Sequence, residues 1–325
     1  MNKNNNACRA ILCAALLAAA PAVALAQADY PHRAIKIVVP LPPGATADTL
    51  PRIIGEKLTA RWHQPVIIEN KPGAAQNLGA EAVAKSEPDG YTLLATPQGP
   101  LVISGSLFRQ LGFDPAAFVP VTVMASLPYV LIVNPKVPVT SVPELVAYAK
   151  ANPDKLNYAS PGNGSSTQLA VEWLKSLAGI RMTHVPYRGA APALTDLLAG
   201  HVDLMIDNLG NALAHIRDGR LRALAVGEAK RIAELPNVPT LAETYPGFVT
   251  SSWFAVVAPP KTPPALAGKL SQAMGEILHM PDVVQRLRDL GATPIGGTPE
   301  ETAAFIKLET ERWRKVIADA DIKPE

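Results

Sequence analysis

The sequence has only two cysteines, Cys8 and Cys13, among its 325 residues. Both lie in residues 1–26, where two basic residues precede a short apolar run and the small-residue sequence Ala24-Leu25-Ala26. This order is typical of a secretory signal peptide, and we expect export to the periplasm with cleavage after Ala26. The mature chain would then contain no thiol, which excludes disulfides, zinc–thiolate sites and cysteine nucleophiles.

The mature chain also lacks an excess of charge of either sign. The full sequence has 30 Lys and Arg against 28 Asp and Glu, and residues 1–26 contain two of the basic residues and none of the acidic ones. This balance gives no reason to expect nucleic acid or an anionic membrane as a partner. The six histidines show no metal-ligand spacing, so we expect no metal site and no cofactor.

Short β-branched runs alternate with helical patterns along the chain. This alternation predicts an α/β architecture with mainly parallel sheets. Capping-box patterns at 141–144 and 298–301 predict helix starts, the second helix running to about Ala320, and Gly291 is a plausible stop for the helix before it. The predicted strands are Ile35–Val39, Val66–Glu69, Tyr91–Ala95, Val119–Met124, Val130–Asn134, Leu156–Ala159, Met182–Val185, Val202–Ile206, Leu221–Val226 and Phe254–Ala258.

Two segments are candidates for crossings between domains. Residues 119–138 contain two apolar strands, and residues 236–252 are rich in proline and turn residues. We therefore predict a first lobe from residues 27–126 plus 249–325 and a second lobe from residues 127–248. The periodicity permits this division without requiring it.

Two loops rich in small residues are the most informative motifs. They are PLPPGATAD at 40–48 and YASPGNGSST at 158–167, and neither contains Lys, Arg, Cys or His. Each follows a predicted strand and precedes a predicted helix, so the first helix amides and the helix dipole could hold an anion. A P-loop or dinucleotide site does not fit, because Thr167 replaces the third glycine of the dinucleotide pattern and no Gly-Lys-Ser/Thr follows. The pair of loops indicates a ligand held from two sides.

Each candidate residue in these regions also has a purely structural interpretation. The second loop could be an ordinary capped helix start. Asp48 is most economically a first-turn acid that orders the first loop, and Asp207 could either reach the cleft or cap the helix that follows it. Arg188 could pair with a second carboxylate of a ligand or lie on the surface, and we favour the surface. We assign Trp253 to the core.

A serine hydrolase is the alternative of another class. Ser165, His184 and Asp207 could be combined on paper, but the chain has no Gly-x-Ser-x-Gly motif. A Ser, a His and an Asp can be chosen in almost any chain of this size. We therefore predict no catalytic residues and no enzymatic activity.

Four ordered blocks, together with the signal peptide, carry a family resemblance. The chain resembles the Bug receptors, the extracytoplasmic solute-binding proteins of tripartite tricarboxylate transporters. The resemblance implies a type II periplasmic binding fold, in which two α/β lobes joined by crossing strands close over a carboxylate. The blocks are PLPPGATAD (40–48), NKPGAAQNLGAEAVAKSEPDGYTLL (70–94), YASPGNGSSTQLAVEWL (158–174) and HVPYRGAAPALTDLLAGHVDLMIDNL (184–209).

The resemblance also implies ligand-binding residues and points to departures from the family pattern. Ala45 and Gln76 stand where the family commonly has glycine, and residues 96–106 differ from its usual polar pattern, so Gln98 is expected to tune specificity. The implied ligand-binding residues are Pro43, Gly44, Ala45, Thr46 and Ala47 in the first loop, Gly164, Ser165, Ser166 and Thr167 in the second, and Asp207 with Gln98 between them.

The leading hypothesis is a monomeric periplasmic receptor that presents a small mono-, di- or tricarboxylate, aromatic acids included, to membrane transporter subunits. A receptor that serves a sensor kinase instead of a permease fits the same sequence features. The sequence leaves the choice between these two partners open.

Overall fold

The computed structural model describes residues 30–44, 46–320 and 322. The predicted signal peptide and the predicted cleavage after Ala26 lie outside these residues, as does Ala45, and Ala47 is described by its backbone alone. Within the described part of the chain, no helix combines the length and the apolarity that a membrane crossing needs.

Ten strands are present in the described residues, and most coincide with the β-branched runs of the sequence. The β-branched side chains of these runs favour the extended backbone and fill buried sheet surfaces. The strands are β1 (Ile35–Val39), β2 (Val66–Asn70), β3 (Thr92–Pro97), β4 (Val119–Val133), β5 (Asn157–Ser160), β6 (Thr183–Pro186), β7 (Leu204–Asn208), β8 (Arg222–Val226), β9 (Ser251–Ala258) and β10 (Thr293–Gly296).

The sequence prediction of two separate strands between residues 119 and 134 is wrong. They form one strand of 15 residues, β4, which continues through Leu127 and Pro128. Proline lacks an N–H group and normally interrupts a ladder. Pro128 is tolerated because it pairs with Ser251 at the last position of the β4–β9 ladder, immediately before β4 changes partner at Tyr129.

The helices begin at sequence signals that are visible in the chain. Thr298 and Glu301 form a reciprocal capping box, as predicted. Ser141 caps its helix, but Glu144 bonds the backbone N–H of Thr140 at 2.7 Å and not that of Ser141. The helices are α1 (Thr46–Trp62), α2 (Asn77–Ala84), α3 (Ser104–Leu107), α4 (Val142–Ala151), α5 (Ser166–Ala178), α6 (Ala190–Ala199), α7 (Leu209–Arg217), α8 (Leu241–Thr244), α9 (Pro264–Leu278), α10 (Pro281–Asp289) and α11 (Pro299–Asp319).

The strands form two parts that share β4. The first part has the order β2-β1-β3-β9-β4 with β10 also on β4, and the second has β4-β7-β5-β6 with β8 also on β4. Pairs at the outer flanks are parallel, whereas the ladders of β4 and β9 are antiparallel. The α/β fold with crossing strands is thus present. The lobe boundaries at residues 127 and 248 stay a prediction.

Each part of the sheet is covered with apolar side chains on both faces. On β1, Ile37 and Val39 belong to one buried cluster and Val38 to another, because successive side chains point to opposite faces of a strand. On β7, Leu204 and Met205 divide in the same way. Trp253 is buried in one of these clusters, which confirms its interpretation as a core residue.

Candidate functional site

A cavity of about 890 Å³ lies between the two parts of the molecule. Most of its walls are loops that leave the carboxyl ends of parallel strands, which is where ligands bind in open α/β sheets. The first part contributes the loops after β1, β2 and α3, and the second contributes the loops after β5 and β6. The lining residues from these loops include Pro40–Pro42, Pro72–Leu78, Gln110–Gly112, Pro161–Asn163, Ser165 and Pro186–Gly189.

The first glycine-containing loop is held in shape by Asp48, in the first turn of α1. Its carboxylate accepts hydrogen bonds from Gly44 N at 3.0 Å, Asn70 Nδ2 at 2.8 Å and Arg52 Nε at 2.9 Å. Burial alone would raise the pKa of Asp48, but these hydrogen bonds outweigh it and the pKa lies below its usual value. The interpretation of Asp48 as the acid that orders the loop is confirmed.

The second loop is held in shape in the same way, by a side chain of the helix that follows it. Gly164 N donates to Gln168 Oε1 at 2.7 Å, and Ser165 Oγ accepts from Gln168 N at 3.3 Å as the cap of α5. In both loops a side chain four residues further on thus binds the glycine amide. Gly164 also lies against Phe108 of the other part of the molecule, since an added Cβ would be 3.3 Å from that ring.

A buried chain of hydrogen bonds connects the second loop to the centre of the molecule. Ser166 Oγ lies 2.6 Å from Tyr129 Oη, and Gln98 Nε2 donates to the same Tyr129 oxygen at 3.1 Å. Gln98 Oε1 accepts from Trp313 Nε1 at 3.3 Å, so both ends of this amide are occupied. Gln98 has no exposed surface, and its Nε2 also donates to the carbonyl oxygen of Ser251 at 3.3 Å.

A second chain joins the two parts across the cleft. Asn211 Nδ2 donates to the two carboxylate oxygens of Asp207 at 3.1 and 3.2 Å, and Asn211 Oδ1 accepts from Thr46 Oγ1 at 3.4 Å. Burial raises the pKa of Asp207 to about 7 despite the hydrogen bonds from Asn208 N and Asn211. Asp207 thus contacts Asn211, and Asn211 in turn contacts Thr46 of the first loop.

The structure places the predicted ligand-binding residues in three different settings. Ser165 lies on the cavity wall. Pro43 and Gly44 are exposed, with the Gly44 amide bound to Asp48. The remaining described side chains lie in or beside the two hydrogen-bond chains, where Ser166 is half-buried and four others are buried: Thr46, Gln98, Thr167 and Asp207. Contact of any of them with a ligand stays a prediction.

Sequence reasoning missed Tyr129 and Asn211. Tyr129 looked like one more apolar residue of a strand, and Asn211 lies in a helical pattern with no motif around it. Their roles depend on which strands and helices meet in the folded chain. Asp207 lies at the end of β7 and Asn211 in the first turn of α7, so no periodic pattern in the sequence relates the two residues.

The residues of the hydrolase alternative bind other partners. His184 Nε2 lies 2.6 Å from Ser160 Oγ, and its ring stacks on Tyr158 with centroids 4.8 Å apart. Burial lowers the pKa of His184. Ser165 bonds Gln168 and Asp207 bonds Asn211, so the geometry gives no support to a triad.

The fold and the cavity together define a class of protein. Two α/β parts that share a crossing strand and enclose a cavity at the carboxyl ends of their strands form the type II periplasmic binding fold. The family described as "Tripartite tricarboxylate transporter family receptor" matches residues 50–322. The chain belongs to this family, and the Bug-receptor resemblance is confirmed.

Individual relatives agree with this assignment. Protein BugT of Bordetella pertussis (strain Tohama I) is 39% identical over 94% of this chain and 95% of its own length. An R. palustris structure described with adipate has 38% identity and a TM-score of 0.86, and covers 91% of this chain and 100% of that one. MatC from Rhodopseudomonas palustris with bound malate has 33% identity and a TM-score of 0.83, and covers 89% of this chain and 100% of that one. The family and these neighbours are binding proteins and not enzymes.

Proposed function

We propose that this chain is a periplasmic receptor that closes over a small carboxylate and delivers it to a tripartite tricarboxylate-type transporter. The observation that carries the proposal is the cavity of about 890 Å³ between the two loops, in a fold that relatives use to hold adipate and malate. Such a volume is within the range of small-molecule sites.

The chemistry of the two loops supports an anionic ligand. The described residues of the first loop, 43, 44, 46 and 47, and residues 164–167 lie at the start of α1 and α5, where helix amides and dipoles favour negative charge. Charge-assisted hydrogen bonds contribute about 1.5–3 kcal/mol each. Three to five of them, less the cost of ordering the ligand, reach the roughly 8 kcal/mol of a micromolar site.

The buried residues are assigned supporting roles in this proposal. Gln98 acts through Tyr129, which positions the Ser166 hydroxyl at 2.6 Å. Asp207 acts through Asn211, which contacts Thr46 from the opposite side of the cleft. The ligand therefore binds between two loops whose shapes are already fixed by hydrogen bonds within the protein.

The remaining assignments follow from the same proposal. The receptor is exported, is cleaved after Ala26, acts as a monomer without a cofactor and has no enzymatic activity. Its partner is a membrane permease, since the family to which it belongs is a transporter family. Uptake of a labelled carboxylate by cells with and without the gene separates this role from that of a sensor-kinase receptor.

A thermal unfolding screen of the processed protein tests the proposal. The panel contains mono-, di- and tricarboxylates and aromatic acids, with the corresponding amides and inorganic phosphate as controls. A ligand at 100 times its Kd stabilises the folded state by about 2.7 kcal/mol, which raises the Tm by several degrees. We expect at least one carboxylate, but neither its amide nor phosphate, to raise the Tm. A panel without any response contradicts the proposal.

A further inference from the structure

The cavity wall contains a run of four residues with left-handed backbone. The φ angles of Gly73, Ala74, Ala75 and Gln76 are 135°, 47°, 50° and 78°. Only the first is glycine, the residue that adopts such angles without strain. All four line the cavity. Strained backbone of this kind is concentrated at functional sites.

The Gln76 side chain is held in an unfavourable state at this position. Its Oε1 atom is buried and has no hydrogen-bond partner among the described residues. The amide lies over Gly99, where an added Cβ would come within 3.1 Å of that oxygen. A buried polar atom without a partner destabilises the fold. Gln76 therefore combines two costs, one in the backbone and one in the side chain, at a residue that lines the cavity.

The identity of the unpartnered atom indicates what would satisfy it. An amide oxygen only accepts hydrogen bonds. An ionised carboxylate has no proton to donate, so the group that binds Gln76 Oε1 is a different part of the ligand. A second amide oxygen, Asn208 Oδ1 at the end of β7, is also buried without a partner in the described chain.

We propose that Gln76 is a specificity-determining residue whose carboxamide oxygen accepts a hydrogen bond from a hydroxyl or ammonium group of the ligand. The receptor accordingly prefers hydroxy- or amino-substituted carboxylates over unsubstituted ones of the same length. This inference rests on the proposed function, because it concerns a second group on the same carboxylate ligand.

Calorimetric titration with three acids of equal length tests the inference. Succinate carries no donor beyond its carboxyl groups, malate adds a hydroxyl and aspartate adds an ammonium group. We expect malate or aspartate to bind the wild-type protein at least tenfold more tightly than succinate, about 1.4 kcal/mol. Tighter binding of malate than of aspartate would identify a hydroxyl group as the donor, and the reverse order would identify an ammonium group.

Two variants separate the hydrogen bond from the shape of the cavity. Gln76→Leu keeps the bulk and removes the acceptor, and Gln76→Gly removes the side chain together with the backbone strain. In both, the preference for the substituted acid should fall to about threefold or less, with the Kd for succinate changed by less than about threefold. Gln76→Gly should also have the higher Tm.

Three results would overturn the inference. They are a wild-type protein that does not distinguish the three acids, a preference that survives in both variants, and a loss of succinate binding in step with malate and aspartate. A failure of every carboxylate to bind, in this titration and in the thermal screen, would instead refute the proposed function, and the inference with it.

Discussion

At the scale of single residues, the site depends on side chains that hold other groups in place. Asp48 and Gln168 each bind the amide of a glycine four residues earlier. The sequence predicted both loops from their small residues and their position between strand and helix. It also predicted that the glycine amides face the ligand, but in this structure Gly44 and Gly164 donate to these side chains.

Asp207 is the residue with the clearest consequence for pH. Because burial raises its pKa to about 7, the folded protein binds this proton more tightly than the unfolded chain does between about pH 4 and 7. The contribution of Asp207 to stability is complete below about pH 4, falls as the pH rises to 7 and is absent above it. Ionising a carboxyl with such a pKa costs up to about 4 kcal/mol.

We therefore expect Asp207→Asn to remove a pH-dependent loss of stability. The free energy of unfolding of the wild type, minus that of the variant, should decrease by up to about 4 kcal/mol between pH 4 and 8. Urea unfolding at four pH values measures it. Asp48→Asn is the control of opposite sign, because the pKa of Asp48 is lowered and its contribution is lost as the pH falls. Parallel pH profiles for wild type and Asp207→Asn would show that Asp207 does not titrate in this way.

At the scale of secondary structure elements, most strands could be predicted because a β-branched run is both a local preference and a buried surface. β10 (Thr293–Gly296) was missed, since its four residues include a proline and a glycine and only pairing with β4 makes them a strand. The continuity of β4 was missed for the same reason: Pro128 is acceptable only where the strand changes partner. Both the strand β10 and the continuity of β4 depend on pairing with residues that are distant in the sequence.

Helix α7 shows how closely the two parts of the molecule approach. A Cβ added to Gly210 would lie 2.1 Å from the carbonyl oxygen of Leu290. Gly210 follows β7 in the second part, and Leu290 precedes β10 in the first. No side chain can occupy that gap unless the backbones separate.

We expect Gly210→Ala to lower the free energy of unfolding by about 1–3 kcal/mol, because overpacked backbones must shift. Gly268→Ala is the matched control, since Gly268 lies inside helix α9 with nothing within 4 Å of an added Cβ. Alanine there should stabilise the protein by about 0.5–1 kcal/mol through helix propensity. Thermal unfolding compares the two, and equal shifts would mean that the α7 contact is not tight in solution.

At the scale of the whole molecule, the fold brings together two loops that are about 120 residues apart in the sequence. The first loop precedes α1 and the second precedes α5, and the cavity lies between the parts to which they belong. Their pairing could be predicted from the family resemblance. The cross-cleft bond from Thr46 to Asn211 and the unpartnered oxygen of Gln76 could not, because they depend on how the two parts meet.

The central claim is that a carboxylate is bound between these loops. Ser166 is the first residue of α5 and follows Ser165, which lies on the cavity wall, so Ser166→Asp places a negative charge beside the position that we propose for the ligand. Acidic residues are favourable at a helix start, and the variant should fold. Ser141→Asp is the control, because Ser141 also lies at the start of a helix, α4, and neither Ser141 nor its neighbours in the sequence line the cavity.

Isothermal titration of the processed protein with adipate and with malate tests this claim most directly. We predict that the wild type and Ser141→Asp bind at least one of the two acids at one site per chain with a micromolar Kd. Ser166→Asp should bind at least 100-fold more weakly, with a Tm within a few degrees of the wild type. Carboxylate binding that survives in Ser166→Asp would contradict the account.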